Sequence, residues 1–258
     1  MTQVSFENLE FINSDPAFPI RILSEWIYPK IQLEKQRITD TIVLFGSARI
    51  PSRENWQKEF AEAQESGNTS KIQKLENKAA LIQSYEDARE FANQITKWGN
   101  VLSNGSAEHK LVVCTGGGPG IMEAGNRGAK EAGGLSLAFN ISLPYEQETN
   151  AFANPDMSFS FRYFFMRKYW FVKMCRGLVA FPGGFGTLDE VFETLTLIQT
   201  KKRDKIPVVL YNSEFWRSVI NFPYLVKNGL IEEEDLKLFH FSDTVDDAVG
   251  FLKENIQF

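Results

Sequence analysis

The stretch LVVCTGGGPGIMEAGNRGAKEAGGLSLAFNI, residues 111–141, decides the architecture. A short apolar run (111–115) enters a glycine-rich loop, a helical pattern covers 119–132, Gly133-Gly134 stops it, and a second apolar run fills 135–141. Strand, loop, helix, stop and strand is the order of a parallel βαβ unit. Both runs are apolar at consecutive positions, as strands buried on two faces are.

The same order extends in both directions. TIVLFGSAR (41–49) is a β-branched apolar run ending at Gly46. GLVAF (177–181) and IPVVLY (206–211) are further strands and MSFSF (157–161) a short one, while helical patterns occupy 84–99, 163–175, 187–201, 213–228 and 244–256. The expected fold is α/β, a Rossmann-like, doubly wound, mostly parallel sheet with helices on both faces, in a single domain over 40–258. Residues 1–39 read as an accessory N-terminal extension with one helical stretch near ILSEWIYPKIQLEKQ. A Glu-, Gln- and Lys-rich segment at about 54–82 reads as a helical insertion, broken at Gly67-Asn68.

Composition narrows the function. At 258 residues and 43% hydrophobic, the chain can bury a full core. A net charge of −5 argues against a non-specific nucleic-acid binder, which needs a basic field. No run approaches the ~18 apolar residues of a membrane span, and the acidic N-terminal residues lack a signal-peptide core. Cys114 and Cys175 both sit in apolar runs and read as buried thiols of a cytoplasmic protein.

Two segments echo each other: GGPGIME (117–123) and GGFGTLD (183–189), each following a strand and opening a helix. If both strands are central, their loops share the carboxyl edge of the sheet, where open α/β sheets bind ligands. Glycines let the backbone approach a ligand, and the following helix offers free amides and a positive dipole end suited to phosphate. A tight turn without ligand is the alternative. The dinucleotide pattern G-x-G-x-x-G fails, since Glu123 and Asp189 stand where its last glycine belongs, and no Gly-Lys-Ser/Thr P-loop occurs. Thr187 and Glu190 have capping-box spacing, so Glu190 is either a helix cap or a carboxylate facing a cationic sugar carbon.

Upstream, FSFRYFFMRKYWFVKMCRG (159–177) mixes aromatics with Arg162, Arg167, Lys168, Lys173 and Arg176. Core or interface packing explains the aromatics; Arg167 is the cation best placed to reach an anion at the second loop. Lys201 to Lys205 read as a solvated turn. His109 and His240 are isolated, no residues have metal-ligand spacing, and neither a covalent nucleophile nor a cofactor site is evident.

Together GGGPGIMEAGNRGA, MRK and PGGFGTLDE resemble the three motifs of the LOG family, the cytokinin riboside 5′-monophosphate phosphoribohydrolases, often labelled "possible lysine decarboxylase". Pro182 to Glu190 satisfy every fixed position of its P-G-G-x-G-T-x-x-E signature, and the resemblance runs from residue 45 to about 250. It implies a Rossmann-like fold and hydrolysis of a nucleoside 5′-monophosphate (AMP or an N6-modified AMP) to free base and ribose 5-phosphate. It further implies Arg167 and Glu190 as catalytic residues. Substrate binding falls to Lys168, Gly183, Gly184, Phe185, Gly186, Thr187 and Asp189, with Gly46, Ser47, Gly117, Gly118 and Gly120 in the companion loops and Thr196 as a further contact. Homo-oligomers are the family's habit. A non-catalytic nucleotide sensor or carrier on the same fold is the alternative function. The extension and insertion resemble those of longer bacterial relatives and leave the base open.

Overall fold

The computed structural model describes residues 4–143 and 149–258. Helices α1 (Leu9–Asn13) and α2 (Phe18–Lys35) precede β1 (Thr41–Phe45); α3 (Arg53–Glu65) and α4 (Thr69–Lys78) lead into α5 (Gln83–Leu102). There follow β2 (Val112–Thr115), α6 (Ile121–Glu131), β3 (Ser136–Ile141), β4 (Ser158–Phe161), α7 (Phe164–Met174), β5 (Cys175–Ala180) and α8 (Phe185–Gln199). The chain closes with β6 (Val208–Tyr211), α9 (Ser213–Val219), α10 (Phe222–Lys227), β7 (His240–Ser242) and α11 (Val245–Asn255). No helix of the described residues is long and apolar enough to cross a membrane.

The seven strands of the described residues pair in parallel, in the order β4-β3-β2-β1-β5-β6-β7. The expected mostly parallel sheet is parallel throughout the described residues. The expectation lacked β7, whose three residues are too few to show a period.

Strand alternation sends neighbours to opposite faces. Val43, Cys114, Leu178 and Leu210 pack with Trp170 and Phe171 of α7 and Val191 and Leu195 of α8. Ile42, Leu44, Val113 and Val179 pack with Phe91 and Ile95 of α5, Ala124 of α6 and Leu252 of α11. The sheet is thus covered on both faces, as its apolar strands require.

Local signals set most helix ends. α6 closes in a Schellman turn, with Gly133 at φ 71° and Gly134 N donating to Ala129 O at 3.1 Å. α5 runs beyond the pattern expected over 84–99, through Gly99 to Leu102; glycine stands at 99 because a Cβ there would lie 2.5 Å from Lys110 O. The single helix expected at 213–228 is two, since Asn221 caps Tyr224 N and Pro223 opens a new first turn. The turn at 201–205 is not wholly solvated: the Arg203 guanidinium folds inward and donates to Cys175 O.

Strand order reverses between β1 and β5, the switch point at which open α/β sheets form their crevice. The loops after β2, β1 and β5 therefore emerge side by side.

Candidate active site

Hydrogen bonds join these three loops. Ser47 N donates to Pro182 O at 3.0 Å, and Ile121 N donates to Ser47 O at 3.1 Å. Gly120 makes the second bond feasible: its φ is 69°, and a Cβ would lie 2.5 Å from Ser47 O and 2.8 Å from Ala48 C. Gly46 serves packing, since a Cβ there would lie 2.7 Å from Ile121 Cβ. The Ser47 amide is already bonded to protein, and so is that of Gly117, which donates to Thr115 Oγ1 at 3.0 Å.

A buried polar cluster holds the first glycine loop. Asn126 is 0% exposed; its Oδ1 accepts from Thr115 Oγ1 (2.8 Å) and Asn150 Nδ2 (2.9 Å), and its Nδ2 donates to Ser136 Oγ (3.0 Å). Asn150 Nδ2 also reaches Gly117 O (3.1 Å) and Gly118 O (3.0 Å). Neither asparagine was singled out in the sequence, for an asparagine with long-range partners leaves no local pattern.

α7 leads directly into β5 and α8 leaves it, so both helices begin at the carboxyl edge. That places Arg167, in the first turn of α7, opposite Glu190, in the second turn of α8. Arg167 Nη2 donates to Glu190 Oε1 at 2.8 Å, with side chains only 12% and 11% exposed. The guanidinium lies 5.4 Å from the Phe164 ring centroid and 5.6 Å from that of Phe171. Its Nε is buried without a hydrogen-bond partner among the described residues. A Cβ on Gly116 would lie 3.9 Å from Nη1, so the guanidinium spans from α8 to the first glycine loop. Unused donors on a buried cation suit an anionic or hydroxyl-bearing ligand.

Beside this pair, Lys168 Nζ contacts Asp189 Oδ2 at 2.6 Å and Glu193 Oε2 at 3.3 Å. Glu193 was missed, although Asp189 and Glu193 at i and i+4 share the helix face that meets Lys168. Burial pushes Glu190 up to about 7, with Asp189 and Glu193 adding to the rise and the Arg167 and Lys168 charges opposing it. Cys114 and Cys175 are buried free thiols; burial pushes Cys175 up to about 11 and Cys114 well above its ordinary value. Neither is a thiolate near neutral pH.

The capping-box expectation fails. α8 begins at Phe185, two residues early, with extended Gly184 as its N-cap and no side-chain cap bond. Leu188 N already donates to Gly184 O at 3.0 Å. Thr187 is 5% exposed and packs on Gly183, where a Cβ would lie 2.5 Å from its own Cβ. Glu190 therefore has no role at the helix start.

α6, α7 and α8 all begin without a side-chain cap, at Gly120, Tyr163 and Gly184. α3, α9 and α11, which also follow strands, are capped by Ser52, Asn212 and Thr244. The first amides of α8, from Phe185, Gly186 and Thr187, have no acceptor within the helix. They lie at the carboxyl edge of the sheet beside Phe185, which is 93% exposed. Thr196 is exposed, six residues and about 9 Å along α8 from Glu190, and does not join the loops.

The motifs and their setting match a known family. Residues 122–252 match the family described as "Possible lysine decarboxylase", the LOG-type family. The chain belongs to this family. No curated protein matches the chain. Among solved structures it is similar to the molybdenum cofactor binding protein of Rippkaea orientalis, at 21% identity over 66% of this chain and 86% of that one (TM-score 0.47). It is also similar to the Moco carrier protein of Chlamydomonas reinhardtii, at 20% identity over 84% and 96% of the two chains (TM-score 0.49). Family membership concerns the scaffold and its motifs; the chemistry has to come from the side chains.

The raised Glu190 carboxyl makes a stability prediction. Protonated Glu190 is favoured in the folded chain, so its contribution is whole below its ordinary value of 4.5 and is lost as pH rises to about 7. Glu190→Gln removes that dependence. Relative to wild type, the variant is expected to gain about 3 kcal/mol in unfolding free energy between pH 4 and 8. Urea unfolding at both pH values measures it; a constant difference would mean that burial does not perturb this carboxyl.

Proposed function

We propose that the site hydrolyses the N-glycosidic bond of a nucleoside 5′-monophosphate, AMP or an N6-modified AMP, releasing the base and ribose 5-phosphate. The observation that carries this reading is the buried Arg167–Glu190 pair at the mouth of uncapped α8. The amides at Gly184, Phe185, Gly186 and Thr187 receive the 5′-phosphate, helped by the dipole of α8 and by Lys168. Gly117, Gly118 and Gly120 shape the opposite wall, and Phe185 offers its open ring to the base. Gly46 and Ser47 act by holding the loops together.

Arg167 spends its free donors on the phosphate or ribose hydroxyls. Glu190 faces C1′, where positive charge grows as the base departs. A carboxyl near 7 is half ionised at neutral pH, which suits it to take the proton of the attacking water. Attack forms the C1′–O bond as the C1′–N bond breaks; the base leaves with the bonding electrons and takes up a proton.

The decarboxylase named in the family description would need an unprotonated lysine for a carbonyl cofactor. Lys168, the site lysine among the described residues, is the reverse. Burial alone would lower it, but the Asp189 hydrogen bond and the Glu193 charge outweigh that and raise it, holding it protonated. No step through such a cofactor follows from these residues.

Exposed Phe164, Phe165, Tyr169 and Phe192 on α7 and α8 border the site. They suit burial against a second copy of the chain, an association that light scattering reads directly. Two buried free thiols suit a reducing cytoplasm.

The test is release of adenine and ribose 5-phosphate from AMP, with N6-isopentenyl-AMP in parallel. Release supports the hydrolase. AMP left intact, yet protecting the protein against heat, would instead support a non-catalytic nucleotide-binding module.

A further inference from the structure

We propose that N-terminal helix α2 is part of the active-site framework, with Glu25 a positioning residue for Arg167 and Lys168. This rests on the role given to Arg167 above. The extension holds both ends of the segment that carries the two cations.

Glu25 makes both contacts. Its Oε1 accepts from the backbone N of Arg162 at 2.7 Å, just before α7. Its carbonyl accepts from Trp170 Nε1 at 3.0 Å, beyond the two cations. That carbonyl is available for a sequence reason. Within α2 its partner would be the amide four residues on, and that residue is Pro29, which has none. A proline inside a helix thus leaves an acceptor that the buried indole of Trp170, 1% exposed, needs.

Neighbouring contacts point the same way. α7 has no side-chain cap of its own; its N-cap is Tyr163. Arg21 Nε donates to Tyr163 Oη at 2.7 Å, while Arg21 Nη1 donates to Ile12 O and Ser14 O, both at 2.6 Å. Phe18 meets the Tyr163 ring edge-on at 5.2 Å. Trp26 Nε1 donates to Tyr169 Oη at 3.1 Å. Arg162, Tyr163, Tyr169 and Trp170, on either side of Arg167 and Lys168, are all held from α2. The second carboxylate oxygen of Glu25 is buried without a partner among the described residues, beside the positive end of α7. An anion there favours the helix start as a cap would.

Four full-length proteins test this: wild type, Glu25→Ala, Glu25→Gln, and Trp170→Phe, which removes the indole donor together with part of the buried ring. Two readouts are taken: amide hydrogen exchange and steady-state hydrolysis of AMP. Glu25→Ala is expected to lose about tenfold in exchange protection over 162–168, with β1 and β5 unchanged, and about tenfold or more in kcat/KM. Glu25→Gln keeps an acceptor for Arg162 N and is expected to restore most of both. If Glu25→Ala does not fold, Trp170→Phe takes its place, with the same local loosening of α7. Wild-type protection of α7, or a uniform fall across the whole chain, would overturn the proposal. If wild type leaves AMP intact, the functional reading falls, and the exchange pattern by itself decides whether Glu25 sets α7.

Discussion

Glu190→Gln is expected to lower kcat for base release from AMP by about a thousandfold, with the fold intact. The substitution keeps the side chain's size and an oxygen for Arg167 Nη2. In the mechanism we propose, it removes the negative charge at C1′ and the base that takes the water's proton. The variant is a clean probe because Glu190 caps nothing: α8 starts at Phe185, and the ladder begins at Gly184 O. Loss of a cap, worth about 1 kcal/mol, therefore cannot mimic the effect. Product release followed by chromatography, with circular dichroism on the same samples, reads both quantities. Turnover within tenfold of wild type would remove Glu190 from the chemistry and leave the raised carboxyl without a function.

Gly128→Ala is expected to cost about 3 kcal/mol of stability, roughly 10 °C in Tm. Gly128 lies in α6 where it crosses α5. An added Cβ would overlap Arg89 O and lie 2.9 Å from Arg89 C and 3.0 Å from Ala92 Cβ. The Arg89 carbonyl belongs to the interior of α5 and cannot swing aside as a side-chain end could. Relief needs the two helices to part, which strains the paired bonds of Arg89 Nε and Nη2 to Glu131, both 2.7 Å. Because Gly120 is the N-cap of α6, the shift also reaches the first glycine loop, so AMP affinity should weaken with stability. Gly250→Ala is the control. It lies in α11 with nothing within 4 Å of an added Cβ, and is expected to stabilise by up to about 1 kcal/mol. Equal melting of Gly128→Ala and wild type would show that the helices yield without cost.

Much of this was legible before folding because it is local. Strand, glycine loop and helix start are patterns within a dozen residues, and they led to the parallel sheet and its two companion loops. Cys114 and Cys175 were read as buried from the runs that hold them. Local rules also misled: Thr187 and Glu190 have capping spacing, but Gly184 and Gly186 let α8 start earlier and Thr187 turned inward on Gly183. The helical pattern ends at 99, yet α5 continues to Leu102, and Gly99 makes room for the Lys110 carbonyl.

The sequence by itself determined six of the seven strands of the parallel sheet in the described residues, most of the helices between them, and the two glycine loops that share an edge if their strands are central, since backbone preference and side-chain period act over a few residues. Only the tertiary structure decided that Arg167 meets Glu190, that Lys168 is shared by Asp189 and Glu193, and that Asn126 and Asn150 hold the first loop. It alone turned an accessory extension into a brace on α7. These are relations between segments far apart in the chain, set by how helices pack on the sheet. The acidity of Glu190 depends on the water they exclude.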